Sequence, residues 1–185
     1  MSIKKRLQKA LLKILRSVGG SLFQIGGEFH VSCYGPDGQL KWADTAPNLI
    51  PNAALQHILD RLFISGTAAV DPWYVGLILG PGSGTTFAAT DTLALHGGWT
   101  ETTGYSGNRK EYVNDRTNQT VSNSTSKASF AIISNGLVVA GALLASVASG
   151  TSGTLLAAGD FTGGDKDADS GDTIEVTYTV TATSS

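Results

Sequence analysis

The sequence predicts a mainly β protein: a β-sandwich or jelly-roll-like domain with one internal helix at about 51–63, preceded by an N-terminal amphipathic helix at about 2–18. Three observations carry this. The second half is a series of short runs rich in Val, Ile, Thr, Tyr and Phe, separated by Gly, Asn and Asp, as strands joined by tight turns require. The last run, 173-TIEVTYTVTA-182, places Ile174, Val176, Tyr178 and Val180 on one face and Thr173, Glu175, Thr177 and Thr179 on the other. That is the period-two pattern of a half-buried strand. Composition agrees: 15% of the residues are charged and 23 of 185 are glycine, against about 25% charged in an average globular protein.

At the N-terminus, Ile3, Leu7, Ala10, Leu11, Ile14, Leu15 and Val18 recur at helical spacing, and Gly19–Gly20 supplies a stop. The charged positions are Lys4, Lys5, Arg6, Lys9, Lys13 and Arg16, with no acid. Residues 1–18 therefore carry +6 and the remainder −8, within a net charge of −2. A basic tip on an acidic body implies two surfaces with different neighbours. A helix this short is marginal alone and needs a partner for its apolar face. Leu7, Leu11, Ile14 and Val18 have the a/d spacing of self-association. An anionic surface, or the chain's own domain, are the other outlets. Lys9, Lys13 and Arg16 interrupt the apolar residues, which argues against a secretory leader. No run is long and apolar enough for a membrane span. The expected organisation is an arm over 1–25 and a β-domain over 26–185.

After the arm, 27-GEFHVSCYG-35 reads as a strand. Pro36-Asp37-Gly38 is a turn, because Pro presets φ and Gly supplies φ > 0, and 39-QLKWADT-45 returns to complete a hairpin ended by Pro47. In 51-PNAALQHILDRLF-63, Asn52 can cap a helix whose apolar face is Leu55, Ile58, Leu59 and Leu62. The run 73-WYVGLILG-80 is almost wholly apolar and reads as a buried central strand. Further strands are expected near 108–113, 118–122, 127–133, 136–146, 154–161 and 173–181. The stretch 137-LVVAGALLASVA-148 has helical composition, but its β-branched start and its glycines favour a strand bent at Gly141.

The chemistry-bearing groups are sparse. The loop 80-GPGSGTT-86 lacks the Lys that a phosphate-binding loop needs. The acidic run 165-DKDADSGD-172 offers Asp165, Asp167, Asp169 and Asp172 as a weak candidate for a cation. The position that an EF-hand fills with Gly is Ser170, and its bidentate Glu is replaced by Val176. The bland reading of this run is a solvated loop with Gly171–Asp172 as its turn. His30, His57 and His96 show no short ligand spacing, and the single Cys33 on an alternating strand reads as core. No nucleophile elbow is present. In 97-GGWTETTGYSGNRKEY-112, Trp99, Tyr105, Arg109 and Tyr112 are candidates for surface contact with a sugar or a single strand. The competing reading is architectural: the aromatics fill the edge of a sandwich, and Arg109 pairs with a carboxylate such as Glu101. The tract 118-NQTVSNSTSKAS-129 is uncharged apart from Lys127, which suits contact with neighbouring copies.

Taken in order, GEFHVSCYGPDGQLKWADTAPNLI, NAALQHILDRLF, WYVGLI, ATDTLALHGGWTE, GYSGNRKEY, QTVSNSTSKASFAI, GALL, SGTLLAAGDF and GDTIEVTYTVT resemble small structural proteins of tailed bacteriophages over roughly residues 26–181. The resemblance rests on the order of the segments, since each alone is a β-like stretch of low specificity. It implies a virion component that is not an enzyme and needs no cofactor. Head decoration (cement) proteins are similar in design: a small β-sandwich outside the capsid clamps shell subunits. The partners implied are the major capsid protein or other virion proteins and further copies of the chain, as a trimer or dimer, with neither nucleic acid nor membrane. The head surface is the favoured location. A tail-fibre, tail-adaptor or neck protein is the alternative, and a carbohydrate-binding module a further one. Residues 1–25 depart from the family pattern. Ile3, Leu7, Leu11, Ile14 and Val18, with the six basic residues among them, are the expected docking or oligomerisation set.

Overall fold

The structure, a computed structural model, describes residues 23–80 and 86–184. The predicted N-terminal helix and the Pro81–Gly84 loop lie outside the described residues. The rest is mainly β, as predicted: two antiparallel sheets and one helix.

The first sheet runs in the order β2 (Leu40–Pro47), β1 (Phe23–Tyr34), β12 (Thr173–Ser184), β7 (Thr120–Ser122), β6 (Asp115–Thr117). A further strand, β8 (Ala128–Ala131), pairs with β12 alongside β7. β1 and β12 pair along their whole length, from Phe23 opposite Ser184 to Tyr34 opposite Thr173. Residues 23–25, placed in the arm on sequence grounds, therefore belong to the sheet. The β1–β2 hairpin forms as predicted: Gly38 takes φ +77°, its amide donates to the Gly35 carbonyl at 2.9 Å, and Asp37 Oδ1 accepts from the Gln39 amide at 3.0 Å.

The second sheet runs β10 (Leu155–Asp160), β9 (Leu137–Ala145), β3 (Tyr74–Leu79), β4 (Thr100–Glu101). Two short strands complete it: β11 (Lys166–Ala168) on β9 and β5 (Lys110–Glu111) on β3. β3 is central, as its apolar run predicts. β9 is a strand, as Gly141 and the β-branched start suggest. Its register slips beside that glycine, with Ile78 opposite Gly141 and Leu79 opposite Val139.

Two apolar layers explain the hydrophobic runs. Between the sheets lie Phe29, Val31 and Cys33 of β1, Val75 and Leu77 of β3, Val139 and Leu144 of β9, and Ile174, Val176 and Tyr178 of β12. On the other face of the second sheet, Ile78, Ala140, Leu143, Ala145 and Leu155 pack with Leu93 and Trp99 from the segment before β4. β9 is thus buried on both faces, which is why it reads as a continuous apolar run, whereas β12 alternates. Each fully buried aliphatic or aromatic side chain contributes about 1.5–3 kcal/mol of burial free energy.

The expected strand at 108–113 shrinks to Lys110–Glu111, because Arg109 and Tyr112 on either side turn into the core. The expected strand at 118–122 is a hairpin of β6 and β7, turning at Asn118 with φ 55°. Within the acidic run, read as loop, Lys166–Ala168 forms β11.

The helix, α1 (Asn52–Phe63), falls where predicted, with one correction, at its cap. Pro51 occupies the N-cap, and no side chain caps it; the Asn52 amide instead donates to the Ala89 carbonyl at 2.8 Å. The Leu face is not buried within the described residues: Leu55 is 41%, Leu59 54% and Leu62 66% exposed. Ala54 is the residue of α1 that is fully buried.

Candidate functional site

The stretch 97–112 is resolved in favour of architecture. Trp99, Tyr105, Arg109 and Tyr112 are 4–7% exposed, which corrects the expectation that they offer a surface contact. Trp99 Nε1 donates to Asp91 Oδ2 at 3.0 Å, and its ring stacks on His96 at 3.6 Å. Tyr105 meets Phe130 edge-on at 4.7 Å. The Tyr112 hydroxyl donates to the Tyr178 carbonyl at 3.2 Å. Burial raises the pKa of the Tyr105, Tyr112 and Tyr178 phenols, with the Glu101 charge adding to the first and Tyr112 to the last. Arg109 does pair with Glu101. Nε donates to Oε1 at 2.8 Å and an Nη to Oε2 at 2.6 Å. Its remaining donors reach the carbonyls of Val147 at 2.9 Å and Gly150 at 3.0 Å.

The acidic run does not assemble a cation site. Asp169 and Asp172 share Lys41 Nζ, at 3.7 and 2.6 Å, and no group of three or more His, Cys, Asp or Glu among the described residues converges as metal ligands would. Asp172 is 2% exposed and accepts from Lys41 Nζ at 2.6 Å and from the Asp169 amide at 2.8 Å. Asp169 Oδ1 accepts from the Gly136 amide at 2.9 Å. Asp165 lies against Gly80. Asp167 contributes its backbone carbonyl to Trp42 Nε1 at 2.8 Å. Asp172 also faces Cys33 Sγ at 3.9 Å. Burial first, and then the Asp172 charge, push the Cys33 thiol up to about 11. A thiol so placed is a core residue, as its position on an alternating strand predicts.

Within the polar tract 118–129, Asn123 and Ala128 turn inward. Asn123 is fully buried and bridges the gap between β7 and β8 on β12: its Nδ2 donates to the Val176 carbonyl at 3.1 Å, and its Oδ1 accepts from the Tyr178 amide at 2.7 Å. Around it, Thr120 meets Thr181 and Ser122 meets Thr179 through their hydroxyls at 3.1 and 2.9 Å.

An exposed apolar stripe lies at the α1 end of the sandwich. Leu55, Leu59, Leu62 and Phe63 form an exposed stripe, continued by Ile64 beyond the helix. On one flank of α1, a groove of about 680 Å³ runs between Leu55, Ile58 and Leu59 and the paired ends of β1 and β12 at Gln24–Gly26, Thr181 and Thr183. On the other flank, a cavity of about 320 Å³ is walled by Ile25, His57, Ile58, Trp73, Leu156 and Tyr178. Both are predominantly apolar. The sequence groups these leucines on one apolar face without saying what covers it. Its unused signal is the consecutive Leu62-Phe63-Ile64, more apolar residues than one face of a short helix can bury.

Comparisons with protein families, with curated proteins and with solved structures found no match to this chain.

Proposed function

We propose that the chain is a non-enzymatic structural protein of a tailed-phage virion, a capsid decoration protein that binds and stabilises the head shell. Its contact region is the α1 end of the sandwich together with the N-terminal arm. The observation that carries this reading is the exposed stripe of Leu55, Leu59, Leu62 and Phe63 beside an apolar groove, since contiguous apolar surface marks a site of association. The virion setting rests on the ordered sequence resemblance over residues 26–181. Apolar burial at this end supplies affinity, and the basic arm steers the protein towards an acidic partner. A carbohydrate-binding module is disfavoured, because Trp99 and Tyr105 are interior.

The test is the copy number of the protein in purified particles, by quantitative mass spectrometry against the major capsid protein. A number of the same order as the capsid protein's is expected. A number matching the few copies of a tail or neck component moves the protein there. Absence from the particle overturns the virion reading.

A further inference from the structure

We propose that the cavity between α1, Trp73 and the inner face of β12 binds a medium-chain aliphatic carboxylate, with the hydrocarbon chain inside and the head group at His57 and Arg61. The site lies on the flank of α1 away from Leu55 and Leu59, which line the opposite groove, and it leaves those two leucines uncovered. The inference goes beyond the virion reading and does not rest on it.

Three observations lead there. The first is the space itself. Ile25 of β1 and Tyr178 and Val180 of β12 continue the inward-facing rows of the first sheet, but here α1 and Trp73 stand opposite them. A cavity of about 320 Å³ is left, and a second of about 330 Å³ adjoins it through the shared walls Val70, Trp73, Leu156, Tyr178 and Val180. Small-molecule sites have volumes of about 300–1,000 Å³, so this space suits a small ligand. The second is apolar surface left open. Trp73, Leu156 and Val180 are only partly buried against the core, and an apolar occupant gains by covering what remains of them. The third is the set of polar groups at one end. The His57 ring meets Trp73 edge-on at 5.8 Å, and among the described residues neither the His57 ring nitrogens nor Trp73 Nε1 make a hydrogen bond. Arg61, one turn along α1 from His57, donates through one Nη to the Thr67 carbonyl. That contact holds the guanidinium against the loop after α1 with further donors to spare.

These features fix the ligand's class and its direction. Apolar walls with donors gathered at one end fit a chain that carries a single polar head. The planar fork of an arginine matches the two oxygens of a carboxylate. Asp71 stands on the wall of the second cavity and repels an anion there. The head therefore stays at His57 and Arg61, and the chain runs past Trp73 towards Val121 and Leu144, which line the second cavity.

Isothermal titration of the full chain with decanoate, kept below its micelle concentration, tests the proposal. Binding of one molecule per chain is expected, with a negative heat-capacity change. Affinity is expected to rise about fourfold per methylene from hexanoate to decanoate. Arg61 is exposed, so Arg61→Gln leaves the fold intact. It is expected to weaken decanoate about tenfold and to leave decanol unchanged. Neither Arg61 nor His57 lines the groove on the opposite flank, so that loss also locates the head group. Leu156→Trp fills the cavity and is expected to abolish binding of both ligands; if that variant does not fold, Arg61→Gln decides. No binding of decanoate, affinity that does not grow with chain length, decanol as tight as decanoate, or decanoate unaffected by Arg61→Gln each overturn the proposal. Binding lost in Leu59→Gln and kept in Leu156→Trp puts the ligand in the opposite groove and overturns it too.

Discussion

Arg109 and Glu101 are joined by two hydrogen bonds of 2.8 and 2.6 Å. The same guanidinium holds the Val147 and Gly150 carbonyls beyond the end of β9. One planar fork therefore ties β4 to the turn between β9 and β10. Lys cannot replace it, because an ammonium is a point charge without the two parallel donors. Arg109→Met is expected to destabilise the fold by about 3 kcal/mol, since it strands a half-buried carboxylate and two carbonyls. Arg109→Lys is expected to recover only part of this. Urea unfolding checks both, and an Arg109→Met loss under about 0.5 kcal/mol, the range of an ordinary surface change, would show the pair to be incidental.

Asn123 replaces a missing length of strand. β7 pairs with Thr179–Thr181 and β8 with Thr173–Val176, and the Asn123 amide satisfies the Val176 carbonyl and the Tyr178 amide in the gap between them. Asn123→Ala leaves a buried donor and a buried acceptor unpaired, at an expected cost of about 2–4 kcal/mol. Asn123→Asp keeps the acceptor but turns a second acceptor on the Val176 carbonyl. Its cost is expected to be larger at neutral pH than at about pH 4, where the carboxyl can protonate and donate. Equal stability of Asn123→Ala and the parent chain would mean that water fills the gap.

Asp172 and Asp44 make acid stability predictable. Burial acts to raise the pKa of Asp172, but hydrogen bonds from Lys41 and the Asp169 amide outweigh it and hold the value below 3.8. For Asp44, burial is likewise outweighed by hydrogen bonds from Lys166, Thr45 and Thr162. The unfolded chain therefore takes up protons first as pH falls. The stabilisation is complete above the ordinary carboxyl value of 3.8 and is lost as pH falls through the lower folded-state values. Asp172→Asn is expected to cost about 1–3 kcal/mol at neutral pH, and its difference from the parent chain is expected to shrink at about pH 3 or below. Urea unfolding at the two pH values reads this, and a difference that stays constant would refute the assignment.

The parts of the fold that were legible in the sequence are those where one physical demand dominates. β12 alternates because one face meets the other sheet. β3 is uniformly apolar because both faces are covered. Pro36-Asp37-Gly38 turns because Gly38 needs φ +77°. The Arg109–Glu101 pair was legible because a buried cation needs a carboxylate. β4 and β11 escaped notice because strands of two or three residues have no period to detect. Asn123 escaped because a polar residue in a polar tract gives no sign of burial, and its role depends on a gap between two strands far along the chain. The α1 leucines were placed on one face and their environment left open: periodicity tells which residues share a face, but it does not tell what covers that face.

Gly141 marks the position where the second sheet has least room. It sits in the middle of β9, between Ile78 of β3 and Asp160 of β10. A Cβ there would collide with the Gly159 carbonyl oxygen, and it would approach the Asp160 Cα to 3.1 Å. Both obstacles are backbone, so no rotamer change relieves them, and both neighbouring strands are fixed by their own ladders. Alanine ordinarily favours a strand over glycine by about 0.5–1 kcal/mol, because it has less freedom to lose on folding. Crowding is expected to reverse that sign here, with Gly141→Ala costing about 1–3 kcal/mol, a fall in Tm of several degrees for a chain of this length. Gly26→Ala is the matched control. It is also a strand glycine, but a Cβ there meets nothing within 4 Å, so it is expected to be neutral or slightly stabilising. Thermal unfolding of the two variants side by side separates crowding from the general cost of altering a glycine. If both shift Tm alike, the close approach of β10 to Gly141 is not what keeps glycine at that position.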